Sequence, residues 1–155
     1  MAVKYIIGHW TGGNYNPCAL DLNSYQLLVL GDGSTKLGKP VGQTSSTGGM
    51  NSITYNISCC GGLERTPLTD VQCEAFFKAC AIKLKEYGLT VDKFYTHAEI
   101  GKMCLDKSIA KLLFWNDYLK QNIGKVDLTK LPYDLKGQSS GDFIRGKIKW
   151  YMGKI

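Results

Sequence analysis

Strand-like and helix-like patterns interleave along this chain, and that interleaving restricts its fold more than any other feature. The clearest helix is marked at both ends. Pro67 blocks extension backwards, Thr69 with Gln72 three residues later makes a capping box, and Gly88 supplies the stop. Within those limits Val71, Ala75, Phe76, Ala79, Cys80 and Leu84 recur at helical spacing. Residues 3–8, 25–30 and 52–60 before it, and 93–97 after it, read as strands. Gly31-Asp32-Gly33-Ser34 turns the second of these into a short hairpin partner at residues 35–37. A second helical stripe is expected over residues 109–119 through Leu112 and Leu113, and residues 141–151 are ambiguous. Neither an internal repeat nor an interior linker divides the 155 residues, a length that suits one core and is short for two. The expectation is one α/β domain over residues 1–155.

Composition narrows the setting. Apolar residues are 44% of the chain and charged residues 21%, ordinary for a globular protein and far from disorder. The longest strongly apolar run, residues 27–30, is far short of the roughly 20 residues of a membrane span. Residues 1–9 are too short for a secretory signal and lack a small-residue cleavage site, so synthesis in the cytoplasm without a signal peptide is expected. Nineteen Lys and Arg against 13 Asp and Glu give a net charge of +6. That balance favours an anionic partner, such as an acidic membrane face, an anionic wall polymer or nucleic acid, without choosing among them. Near the C-terminus Arg145, Lys147, Lys149 and Lys154 mix with Ile148, Trp150, Tyr151 and Met152, which reads as an amphipathic docking segment. The six cysteines contain no C-x-x-C pair, and they read as reduced, mostly buried small hydrophobes.

Two loops stand out. Thr11-Gly12-Gly13-Asn14-Tyr15-Asn16-Pro17 is dense in turn formers. Residues 38–50 are rich in Gly, Ser and Thr without any hydrophobic period, a length of irregular chain that compact domains keep for function or mobility.

The chemistry centres on the only two histidines, His9 and His97, each at the C-terminal end of an expected strand. Open α/β sheets place ligands there. Imidazole is a common zinc donor, and a catalytic zinc takes three protein ligands and leaves a fourth position open. Glu99, Cys104 and Asp127 are the candidates for the third ligand. Asp127 has the added feature of Lys125 two residues earlier, on the same side of an extended chain, where an ammonium can stabilise an oxyanion without touching the metal.

His9-Trp10-Thr11-Gly12-Gly13, Tyr25 before Gly31-Asp32-Gly33, Pro67-Leu68-Thr69-Asp70-Val71-Gln72, Thr96-His97-Ala98-Glu99-Ile100-Gly101 and Gly124-Lys125-Val126-Asp127-Leu128 occur in this order. The ordered set resembles the zinc N-acetylmuramoyl-L-alanine amidases, the family of small phage lysozyme-amidases and peptidoglycan-recognition proteins. The resemblance implies a central mixed β-sheet flanked by helices. It implies one zinc ion held by His9, His97 and Asp127, with Tyr25 and Lys125 as catalytic groups. Gln26 stands where a second histidine commonly follows the tyrosine, and the last ligand varies between Cys and Asp within the family, which keeps Cys104 in play. Trp10, Asn14 and Tyr15 are expected to border the substrate groove.

The activity implied is hydrolysis of the amide between N-acetylmuramic acid and L-alanine in peptidoglycan, in an endolysin of phage type. Such a protein would be monomeric, have no separate wall-binding module, and reach the wall after release or delivery. The rival readings are a peptidoglycan-binding receptor on the same fold and, further off, a basic nucleic-acid-binding domain.

Overall fold

Where the interleaved pattern places strands, the computed structural model builds a five-stranded sheet; it describes residues 2–155. In chain order the elements are β1 (Tyr5–Trp10), α1 (Ala19–Ser24), β2 (Leu27–Val29), β3 (Thr35–Leu37), β4 (Thr54–Cys59), α2 (Asp70–Glu86), β5 (Phe94–Thr96), α3 (His97–Leu105) and α4 (Ser140–Met152). The strand order is β3-β2-β4-β1-β5. Parallel pairing joins β2 to β4, β4 to β1 and β1 to β5, while β3 returns antiparallel on β2. The result is a single α/β domain with a mixed sheet, as expected.

Side chains alternate across a strand, so each strand serves two layers. Ile6, Leu27, Val29, Tyr55, Ile57 and Cys59 face Phe76, Phe77, Cys80 and Leu84 of α2 and Ile144 and Ile148 of α4. Tyr5 and Ile7 face the opposite way, onto Ile100 and Cys104 of α3 together with Met50, Ile109 and Leu119. On that second side β4 carries Thr54, Asn56 and Ser58, all fully buried and all polar. A buried polar row requires hydrogen-bond partners, and supplying them ties this face to the site described below.

The capping box expected at Thr69 and Gln72 is present, and Gly88 follows the end of α2 with a positive φ of 68°. Three readings change. His97 does not close a strand; it is the first residue of α3, because Thr96 caps a helix and Glu99 completes a second capping box. Residues 109–119 form no α-helix. Adjacent Leu112 and Leu113 are a pair rather than a stripe, and the chain makes two 3-10 turns, Ser108–Lys111 and Asp117–Asn122, around the side of α3. The ambiguous C-terminal segment is α4, and two of its basic groups point to internal partners. Arg145 pairs with Glu99 and Lys147 with Glu74, leaving Trp150 exposed. All six cysteines are free, and five of them are buried. Among the described residues no helix is long and apolar enough to cross a membrane.

Gly8 is where β1 meets the core most closely. A Cβ there would lie 2.7 Å from the Phe94 ring and 2.9 Å from Leu128 and Phe76. Gly8→Ala should therefore cost about 1–3 kcal/mol through overpacking. Gly146→Ala, on α4 with open space at that point, should instead stabilise by about 0.5–1 kcal/mol. Urea denaturation midpoints of the two variants check both signs.

Candidate metal centre

Parallel pairing of β1 with β5 sets Gly8 opposite Thr96, so the next residue of each segment, His9 and His97, emerges beside the other. Their ring centroids are 4.7 Å apart. Asp127 arrives from the loop after the second 3-10 turn and places its carboxylate against both rings. Its Oδ2 is 3.6 Å from His9 Nδ1 and 3.8 Å from His97 Nδ1. The Trp10 backbone N–H donates to the same oxygen at 3.2 Å. Leu128, directly after Asp127, has a left-handed φ of 63°, uncommon for a branched residue. Its side chain is buried among the core residues, which offsets the strain and turns the preceding carboxylate inward.

Hydrogen bonding decides the protonation of both rings. Asn122 Nδ2 donates to the carbonyls of Gly48 and Leu119, so its Oδ1 must be the atom that meets His97 Nε2, at 2.7 Å. Asn56 Nδ2 donates to Gln26 Oε1 and Thr54 Oγ1, and its Oδ1 meets His9 Nε2 at 2.8 Å and accepts from Thr47 Oγ1. An amide oxygen can only accept, so each imidazole carries its proton on Nε2 and presents a bare Nδ1 lone pair. The gaps of 3.6 and 3.8 Å to Asp127 exceed hydrogen-bond range. Two lone pairs and a carboxylate oxygen, all within 4.8 Å of one another, form a donor set that a shared cation would satisfy. With metal–ligand distances of about 2.0–2.1 Å, a tetrahedral ion separates its donors by roughly 3.4 Å, so the set fits a divalent metal. Among the described residues, His9, His97 and Asp127 are the group of three or more His, Cys, Asp or Glu side chains placed to hold one.

The other two candidate ligands lie elsewhere. Glu99 is drawn to Arg145. The Cys104 thiol lies 3.9 Å from Asn122 Nδ2, and burial raises its pKa, which disfavours the thiolate a ligand would need.

His97 and Asp127 open onto a cleft of about 430 Å³ that also presents Tyr25, Ser45, Ser46 and Lys125, while His9 is buried against them. Tyr25 sits with its ring centroid 5.0 Å from that of His9. Burial, with Asp127 adding to it, pushes its phenol up to about 12, so it stays protonated at neutral pH. Lys125 shares the cleft wall with His97 and Asp127. Next to it a larger cleft of about 710 Å³ is bordered by Trp10, Asn14, Leu63, Glu64, Arg65 and Lys130. Trp10 and Leu63 belong to both walls. Tyr15 is turned elsewhere: its hydroxyl donates to the Pro67 carbonyl and its ring lies against Gly31.

Residues 1–107 match the family described as N-acetylmuramoyl-L-alanine amidase. This chain belongs to that family. The matched span takes in His9, Tyr25 and His97 and ends before Lys125 and Asp127. Solved structures in the same fold include the N-acetylmuramoyl-L-alanine amidase LysC from Clostridium intestinale URNW, with 17% identity and a TM-score of 0.56 over 72% of this chain and 86% of that one. The endolysin amidase LysCS of the same organism matches with 18% identity and a TM-score of 0.54 over 72% and 84%. Human PGRP-IBETAC, solved with glycosamyl muramyl pentapeptide, matches with 21% identity and a TM-score of 0.52 over 64% and 73%. No curated protein matches in sequence.

Asn56, Asn122, Thr47 and the orienting role of Gln26 escaped sequence reasoning. One signal was present: Thr54, Asn56 and Ser58 alternate with apolar residues, a pattern read by default as a solvent-facing edge. In this amidase-family fold that face is buried beside His9.

Burial holds the pKa of His9 below its ordinary value of 6.5. This shift has a direct consequence. The unfolded chain takes up protons on acidification before the folded one does, so stability is full above about pH 6.5 and falls as pH drops below it. Thermal melting of metal-free protein between pH 8 and pH 5 should trace this decline from roughly pH 6.5 downward, and His9→Gln should flatten its upper part.

Proposed function

We propose that this amidase-family chain is a zinc-dependent hydrolase that cleaves the amide between N-acetylmuramic acid and the L-alanine of the peptidoglycan stem peptide. We place it among lytic enzymes of the endolysin type, the role named for LysCS. The observation that carries the reading is the pair of bare Nδ1 atoms aimed, with Asp127, at one point beside Tyr25 and Lys125. Two histidines and a carboxylate are a zinc donor set with the fourth position open to the cleft.

When bound there, zinc supplies a nucleophilic water at neutral pH and polarisation of the scissile carbonyl. The remaining work falls to side chains of this protein. Asn56 and Asn122 hold the proton of each neutral ring on Nε2, which leaves Nδ1 of His9 and of His97 free to bind the metal. Lys125 faces the carbonyl oxygen as it gains negative charge and stabilises it by an ammonium hydrogen bond. Tyr25, protonated at working pH, donates to the leaving amine nitrogen, which needs a proton before the C–N bond can break. Trp10 and Leu63 border both clefts, so a substrate with a sugar arm and a peptide arm can lie across them with its amide between. The charges of Glu64, Arg65 and Lys130 along the larger cleft suit a peptide arm that carries its own charged groups.

Purified protein should contain about one zinc per chain, and a chelator should stop release of L-alanine-ended stem peptides from purified walls, with zinc restoring it. His9→Ala, His97→Ala and Asp127→Ala should each lose both metal and hydrolysis. Lys125→Ala should keep zinc but lower kcat by about 10²-fold or more. Cys104→Ser should keep both; its inactivity alongside an active Asp127→Ala would move the third ligand to Cys104. Wall binding with neither zinc nor product would make the protein a receptor.

A further inference from the structure

One guanidinium grips the corner that delivers His97. Arg145, on α4, donates from Nη1 and Nη2 to the two carboxylate oxygens of Glu99, at 2.8 and 2.7 Å. Its Nη1 also donates to the Phe94 carbonyl at 3.0 Å, and Asp142 accepts from Nη2 at 2.9 Å. Phe94 lies in β5 just before His97, and Glu99 in the first turn of α3 just after it. Glu99 is itself half of the capping box: its Oε1 accepts from the Thr96 N–H, and its own N–H donates to Thr96 Oγ1. The backbone that carries His97 is thus bonded from both sides to a single side chain of the C-terminal helix. The approach is close enough that a Cβ at Gly141 would land on the Glu99 carboxylate.

We propose that Arg145 is a positioning residue of the metal centre, fixing the β5–α3 corner through Phe94 and Glu99 so that His97 Nδ1 stays aimed at the point shared with His9 and Asp127. Two controls then act on His97. Asn122 sets the rotation of its ring, and the Arg145 corner sets where its Cα stands. The α4 helix does not depend on Arg145 to stay docked, since Ile144 and Ile148 are wholly buried against the α2 side of the core. Its other ion pair, Lys147 with Glu74, lies between α4 and α2, outside the β5–α3 corner. That separation allows positioning to be told from general support.

The proposal rests on metal binding by His9, His97 and Asp127, and the test reads metal affinity and a metal-free property side by side. Zinc affinity is measured by competition with a chromophoric chelator at 25 °C, and amide hydrogen exchange is followed on metal-free protein. Arg145→Ala should weaken zinc binding about 10-fold, within the range usual for groups that orient ligands, and should speed exchange at residues 97–100. Arg145→Lys should recover only part, because an ammonium cannot bridge two acceptors as the guanidinium fork does. Lys147→Ala should lower the melting temperature yet leave both readouts unchanged. Zinc affinity of Arg145→Ala within twofold of the parent, or an equal loss in Lys147→Ala, would overturn the positioning role. If the parent protein and His9→Ala bound zinc equally poorly, the metal reading itself would fall, and unaltered exchange at residues 97–100 would then separately remove the corner.

Discussion

Two hydrogen bonds from imidazole Nε2–H to asparagine Oδ1 underlie everything the site can do. Each is a local contact, but each decides a global property: on which nitrogen the ring carries its proton, and therefore which nitrogen has a lone pair to offer. Asn122 is oriented by two backbone carbonyls, and Asn56 by Gln26 and Thr54. Because every donor in these chains has an assigned acceptor, neither amide can flip without leaving a buried polar group unpaired, a loss of about 1–3 kcal/mol. The rings are held in one tautomer by the same bonds that satisfy the buried polar face of the sheet.

This arrangement explains why the second face of β4 is polar although it is buried. A wholly apolar face would pack well against α3, but nothing would then orient His9. The Gly/Ser/Thr loop fits the same logic. Thr44 accepts from Gln26 Nε2, Thr47 donates to Asn56, and Gly48 and Gly49 lie close against residues 116–121. Small side chains let the loop backbone press onto the 3-10 turn that carries Asn122, so its composition reflects close packing beneath the metal centre. The C-terminal helix completes the frame from the other side through Arg145, which couples the last helix to the first turn of α3.

Much of the site was legible before the fold was known. His9, His97, Tyr25, Lys125 and Asp127 stood out by residue type, position and order; the structure sets the last four in one cleft and buries His9 against Tyr25, His97 and Asp127. Trp10 and Asn14 border the adjoining cleft, whereas Tyr15 is spent on holding the first loop to Pro67 and Gly31. The expected helix over residues 109–119 failed for a physical reason: helical propensity there yields to the need to wrap α3 and set Asn122 under His97. The apparent docking segment at the C-terminus misled in a similar way, because a lysine or arginine paired with a carboxylate of the same chain reads in sequence like one facing solvent.

By itself the sequence determined the alternation of strands and helices, the capping box that starts α2, and the short list of side chains able to bind a metal. These follow from local chemistry: side-chain periodicity, the satisfaction of backbone N–H groups at helix starts, and the lone pairs a residue carries. Only the tertiary structure decided which carboxylate joins the histidines, which nitrogen each ring presents, and that Glu99 serves Arg145 instead of a metal. Those outcomes depend on residues as far apart as Trp10 and Asp127, or Glu99 and Arg145, meeting at hydrogen-bond distance. Contacts of that range are set by strand register and helix packing.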